Sequence, residues 1–382
     1  MSLSAVSAAI VAALVGLAGA LAVVLAAAQA VGADQAQTTS WVTALCLSMA
    51  LTSGWLSWRH RMPIITAWST PGAAVIAATA GTVQIDVAVG VFLVVGVLIV
   101  LTALVQPLDR AVRRIPVSVA AGMLAGVLFR FVMQMVEAIP VAPLLVLPLL
   151  ALFLIARAKS PSAAMLLVIV AGTALASSLG MMREWPALTL SALTLVAPRF
   201  EVGALIGLGL PLFLVTMASQ NIPGAAVLRA SGYEPPFSSA LLVTGIASIV
   251  IAPFTAHTIN LAAITAAICT GPDAHPDPAK RWWTGIAYMV VYTGLAALGA
   301  TLVALFAVLP ATLVMTIAGL GLIGALTASL GSALREESER FAAVAAFIVT
   351  ASGIMMLGIG SAFWGLIAGL CVIAIERYAM RV

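Results

Sequence analysis

The chain has 382 residues, 63% of them hydrophobic and only 8% charged, with mean hydropathy +1.19. A soluble domain carries about 25% charged residues, so no soluble surface can be built from this composition. Apolar stretches of spanning length recur from end to end, which makes the chain an all-α polytopic membrane protein with the lipid bilayer as its obligatory partner. The net charge of +4 is dispersed over short loops and gives no reason to expect nucleic acid.

The first apolar run, residues 5–28, has no Lys or Arg before it and is too long for a secretory leader, so it reads as the first span. Gln29 closes it. Further candidates follow at 41–58, 64–80, 86–107 (opened by Asp86), 117–135, 141–157 and 161–180. The second half gives 200–219, 237–254, 255–270, 282–308, 310–331, 341–357 and 361–378, fourteen in all. With both termini cytoplasmic, only Arg130, Arg183 and Arg199 of the 17 Lys and Arg fall outside. That is the bias positive-inside topology requires. Omitting the odd segment at 64–80 would flip every later loop and destroy the bias, so that segment is expected to cross.

It is odd because "PIITAWSTPGAAVIAATAG", Pro63 to Gly81, carries Trp-Ser-Thr-Pro-Gly in its middle. As pure helix, residues 64–80 would reach only about 26 Å, short of a hydrocarbon core of about 30 Å. A short extended stretch followed by a half-helix spans it. Ile64 to Trp68 is predicted to be extended, Ser69 or Thr70 to cap the half-helix, and Pro71 to sit in its first turn beside Gly72. Shifted by 190 residues, the same pattern returns as "PFTAHTINLAAITAAICTG", Pro253 to Gly271. There Thr255 to Ile259 is expected to be extended, with Asn260 capping a helix from Leu261. Two further matches, Ala121 with Ala318 and Gln29 with Gln220, keep similar offsets in chain order. Seven spans per half is an odd number, so the repeats are inverted. Paired interrupted spans in inverted repeats point to a secondary transporter with its site at the interruptions.

Each half-helix would begin at mid-membrane with free N–H groups and about half a positive charge. Two such ends facing one another suit a monoanion without a buried Lys or Arg. Ser69, Thr70, Pro71, Gly72, Thr258 and Asn260 are therefore candidate binding residues, though Ser69, Thr70 and Asn260 could serve as caps alone. Gln29, Gln220 and Asn221 are candidates that could equally bond between helices. Trp68 offers an apolar wall for a ring or ordinary packing. His257 is the ionisable side chain in the central parts of the two broken segments. It is a candidate for proton coupling or a neutral brace, and Asp86 is a less central fallback. The cysteines Cys46, Cys269 and Cys371 are far apart and fit no metal site. "GLGLIG", Gly319 to Gly324, matches G-x-G-x-x-G inside an apolar span and reads as close helix packing. No metal, cofactor or catalytic constellation is expected, and the chain is not read as an enzyme.

"PIITAWSTPGAA", "ASQNIPGAAVLRASGY", "HTINLAAITAAICTG" and "GIGSAFWGLIAGL" resemble the benzoate/proton symporter (BenE) family along essentially the whole chain. The resemblance implies the uracil/xanthine permease-like fold, with fourteen segments in a seven-plus-seven inverted repeat whose third and tenth are part strand and part helix. It implies a core domain from residues 1–109 and 200–308 and a gate domain from 110–199 and 309–382. It also implies proton-coupled import of benzoate or a similar aromatic carboxylate through the inner membrane, with a homodimer as a possible assembly. Nucleobase permeases of this fold place a carboxylate in the eighth span, where this chain has Gln220 and Asn221. That departure favours an anionic substrate. A nucleobase or inorganic-anion carrier of the same fold, or an anion channel, is the alternative.

Overall fold

The computed structural model describes residues 2–79, 81–105, 116–182, 185–357 and 359–379. Arg110, Arg113, Arg114, Arg183 and Arg381, which enter the charge bias, lie outside the described residues. The first half runs α1 (Leu3–Ala30), α2 (Gln35–His60), β1 (Thr66–Trp68), α3 (Thr70–Ala77), α4 (Ile85–Leu104), α5 (Val117–Glu137), α6 (Pro143–Lys159) and α7 (Pro161–Ser178). The second half runs α8 (Val202–Ala230), α9 (Phe237–Ile251), β2 (Ile259–Leu261), α10 (Ile264–Thr270), α11 (Trp283–Ala297), α12 (Gly299–Val308), α13 (Ala311–Ala333), α14 (Arg340–Ser352) and α15 (Ser361–Ala379). Among the described residues, six helices are long and apolar enough to cross a membrane, or eight if each of two bent pairs is one span. One of those bends, of 60°, separates α11 from α12 at Leu298.

Most helix contacts fall within two sets. In one, α13 and α14 lie on α5, and α15 lies on α14. In the other, α11 lies on α2, α9 on α4, and α1 on α3, α10 and α11. Helix α1 also touches α7 and α13, so it stands at the seam. Small residues let helices close in. A Cβ on Gly122 would lie 2.2 Å from the Ala343 carbonyl oxygen, and one on Gly285 would lie 2.0 Å from Ser57 Oγ.

Helix α8 contains two π-turns, Leu205–Gly209 and Met217–Asn221. Each precedes a proline. Pro211 and Pro223 have no N–H for the carbonyls of Gly207 and Ser219, so the wider turns absorb the missing helical bonds. Residues 185–200 form no helix or strand. They are pinned by Ser191 N–H to the Ala297 carbonyl (3.1 Å), Val196 N–H to Pro253 (2.8 Å) and Arg199 N–H to Asp86 (3.0 Å).

At the centre, β1 and β2 pair antiparallel, with Thr66 opposite Leu261, Ala67 opposite Asn260 and Trp68 opposite Ile259. The first interruption follows its sequence pattern: a strand ending at Trp68, Ser69 as N-cap, helix from Thr70, and Pro71 in the first turn. The second departs from it. A 3₁₀ turn at Ala252–Phe254 runs into a left-handed Thr255 (φ 69°), where the extended stretch was expected to begin. The strand is Ile259–Leu261 and the helix starts at Ile264. Asn260 therefore lies in the strand and caps nothing.

Candidate functional site

Extended backbone buried inside the protein needs hydrogen-bond partners other than water. Neighbouring helices supply them. Ser57 Oγ on α2 donates to the Ile64 carbonyl (3.0 Å) and accepts from Ile64 N–H (3.1 Å). Ser53 Oγ accepts from Thr66 N–H (2.9 Å), and Thr66 Oγ1 lies 2.6 Å from Thr52 Oγ1. On the other side, Ser248 Oγ accepts from Ile259 N–H and Asn221 Oδ1 from Leu261 N–H, both at 2.9 Å.

Ser69 is the hub of the first interruption. Its hydroxyl accepts from Gly72 N–H (3.0 Å) and from Thr216 Oγ1 (3.3 Å). Its N–H donates to the Thr258 carbonyl (3.2 Å), and its own carbonyl accepts from Ala73 N–H (2.7 Å). Thr258 Oγ1 lies 3.2 Å from Thr216 Oγ1. His257 joins this hub. Trp41 Nε1–H, which can only donate, points at Nδ1 (2.9 Å), so Nδ1 accepts and Nε2–H donates to the Ser69 carbonyl (3.1 Å). Both ring nitrogens are thus engaged in the neutral form, and the ring is fully buried.

Beside the strand pair lies a cavity of about 250 Å³. The broken segments contribute Ala67, Trp68, Thr70 and Pro71 from one half and Ala262 to Thr265 from the other. Gln220, from the second π-turn of α8, also reaches it. Helix α11 adds Tyr288 and Tyr292; Trp68 meets Tyr292 edge-on at 6.5 Å between centroids. Gly16 on α1 leaves room there, since a Cβ would stand 3.1 Å from the Tyr292 hydroxyl. The far wall comes from Phe153 and Arg157 on α6, Met165 on α7 and Leu320 to Leu322 on α13.

The two half-helix ends are unequal. In α3, Pro71 has no N–H, and Ser69 accepts the N–H groups of Gly72 and Ala73, so Thr70 N–H remains. In α10 the N-cap is Ala263, which has no side-chain cap, so the N–H groups of the first turn have no intrahelical acceptor. Thr265 stands in that turn, 6% exposed, and its hydroxyl, with Tyr288 as its polar neighbour, makes no hydrogen bond within 3.5 Å. At the other end of α10, the guanidinium of Arg281 donates to the Thr270 carbonyl (2.8 Å).

Of the residues expected at the site, Trp68, Thr70, Pro71 and Gln220 line the cavity. Ser69, Gly72, Asn221, Thr258 and Asn260 are buried behind it and hold the interruptions in place. Asn260 Nδ2 donates to the Leu261 carbonyl (2.9 Å), while its Oδ1 has no partner. Gln29 is exposed at the end of α1. Asp86 stands partly exposed in the first turn of α4, 3.5 Å from Arg199 Nε. Sequence reasoning missed Thr265, Tyr288, Tyr292, Phe153 and Arg157. The tyrosines carried a signal, an i, i+4 pair that places both rings on one helix face.

A family model described as benzoate membrane transport protein, BenE, matches residues 1–375. The chain belongs to the BenE family. BenE proteins are membrane transporters and not enzymes. The inner membrane protein YdcO of Escherichia coli K12 is 39% identical over 96% of this BenE chain and 95% of its own. The benzoate membrane transport protein of Acinetobacter baylyi is 35% identical over 97% and 94%. Among solved structures, the transmembrane domain of the cyanobacterial bicarbonate transporter BicA superposes with TM-score 0.64 at 14% identity, over 97% of this chain and 98% of that one. SLC26A9 does so with TM-score 0.58 at 12% identity, over 96% of this chain and 64% of its own. At such identities the likeness is one of fold.

Proposed function

We propose that this BenE protein is a secondary carrier that moves benzoate, or a similar aromatic carboxylate, across the inner membrane together with a proton. The observation that carries the reading is the cavity between the two interruptions. Its aromatic wall (Trp68, Tyr292, Phe153) fits a single ring, and Thr70, Gln220 and Thr265 offer hydrogen bonds to a carboxylate. No Asp or Glu is among the described residues that line it, so an anion meets no like charge there. The relative from Acinetobacter baylyi, named for benzoate transport, supports the choice of substrate.

In this reading the carboxylate lies toward the uncapped first turn of α10 and the Thr265 hydroxyl, with Thr70 completing the pocket. The fourteen segments each cross the bilayer in the seven-plus-seven inverted repeat of the uracil/xanthine permease-like group, with both termini cytoplasmic. Residues 1–109 and 200–308 carry the substrate, and 110–199 and 309–382 form the gate; the concentration of helix contacts within two sets supports that division. His257 braces the crossing point as a neutral ring, and the proton travels with the carboxylate.

Calorimetry on the purified protein tests this reading. Benzoate is expected to bind, and uracil and sulfate are not. Thr265→Val, which removes the hydroxyl and keeps the shape, should weaken benzoate binding by about 1.5–3 kcal/mol, the range for a hydrogen bond to a charged group. Binding of uracil without benzoate would overturn the choice of substrate. Unchanged benzoate affinity in Thr265→Val would remove the carboxylate from that helix end.

A further inference from the structure

Among the described residues that line the cavity, Arg157 is the one that carries a charge. It sits in the last turn of α6, and its side chain is exposed where most of the wall is buried. One turn earlier on the same helix, Phe153 is 4% exposed and lines the same cavity. The guanidinium carbon of Arg157 stands 5.9 Å from the Phe153 ring centroid. The wall on this side therefore grades from an aromatic surface inside to a cation at the rim. The interior of the site, by contrast, has only neutral hydrogen-bond donors for an anion.

We propose that Arg157 is the rim cation at the cytoplasmic mouth of the transport path: it attracts an aromatic carboxylate between that mouth and the uncharged site, and holds the carboxylate at the rim while the ring lies along Phe153. This rests on the reading of the protein as an aromatic-carboxylate carrier. A rim position suits the task. An attraction partly screened by water raises the local concentration of the anion and speeds its entry without trapping it. A guanidinium buried at the deep site would make release slow. An arginine that only anchors the end of α6 at the lipid surface would do none of this.

The two roles separate on salt. The Debye length shrinks from about 30 Å at 0.01 M to about 8 Å at 0.15 M, so a rim cation makes capture of an anion weaken as salt rises. The experiment is labelled-benzoate counterflow in proteoliposomes, with the full chain and the variants Arg157→Gln and Arg157→Lys, at low and physiological ionic strength. Wild type and Arg157→Lys should lose apparent affinity with salt. Arg157→Gln should start at a half-saturating concentration about fivefold higher at low salt, lose most of the salt dependence, and keep its maximal rate. The proposal is overturned if Arg157→Gln keeps the wild-type salt slope, or if Gln and Lys reduce the maximal rate alike. No counterflow in the wild type would count against the carrier reading itself.

Discussion

His257 shows that a residue's type leaves more than one role open. An ionisable side chain deep in a membrane protein is expected to handle protons, yet this ring accepts from Trp41 and donates to the Ser69 carbonyl. Adding a proton to Nδ1 would set an N–H against the indole N–H and break that bond. The geometry supports a brace between α2 and the hub at Ser69. His257→Gln should then lower benzoate exchange and pH-driven uptake by the same factor, measured side by side in proteoliposomes. Loss of pH-driven accumulation with exchange intact would make the ring a proton relay. Asn260 teaches the same lesson from the other side. Its sequence context, three residues into a β-branched run, reads as a helix cap, but pairing with Ala67 places it in a strand. A charge at that position would test burial in the strand pair and say nothing about an anion at a helix end. Thr265 was invisible because one threonine in an Ala-rich helix has no distinguishing neighbour. Only the structure shows that its hydroxyl makes no hydrogen bond.

At the scale of elements, the end of the strand and the start of the helix in the first interruption were legible to within a residue, because each has a chemical marker: Trp68 ends the strand, Ser69 or Thr70 offers a cap, and Pro71 fits the first turn. The second was legible as an interruption but not in its register. Pro253 and the left-handed Thr255 spend residues on a turn, and the helix that follows opens on Ala263 with no polar cap to announce it. The support of the strands was not read at all, since serines on a neighbouring helix carry no periodic signal. That support has a measurable weak point. Ser57 holds both polar groups of Ile64 and packs against Gly285 on α11. Gly285→Ala should push α11 away from α2 and cost about 1–3 kcal/mol by overpacking. The readout is a lower unfolding temperature in detergent, together with weaker benzoate binding as β1 loosens. A variant as stable as wild type would show that α2 does not fix the strand.

At the scale of the molecule, composition alone established a polytopic membrane protein, and the paired interruptions mark segments that line the cavity. What the sequence did not carry was the far wall. Phe153, Arg157 and Met165 belong to helices distant in the chain, and their apolar patterns report burial in general rather than which cavity they face. The unequal half-helix ends were hidden for a related reason. An uncapped helix start is marked by the absence of a polar residue, and absences are common in a chain that is 63% hydrophobic. The central claim is that these parts form a carrier that couples an aromatic carboxylate to a proton. The most direct measurement is uptake of labelled benzoate into proteoliposomes with the membrane potential clamped at zero and a pH gradient imposed. The account predicts a saturable initial rate of uptake toward the alkaline side several-fold above that of protein-free liposomes, which measure passive entry of the neutral acid. Uptake no greater than in those liposomes, or uptake that follows membrane potential and ignores the pH gradient, would contradict it.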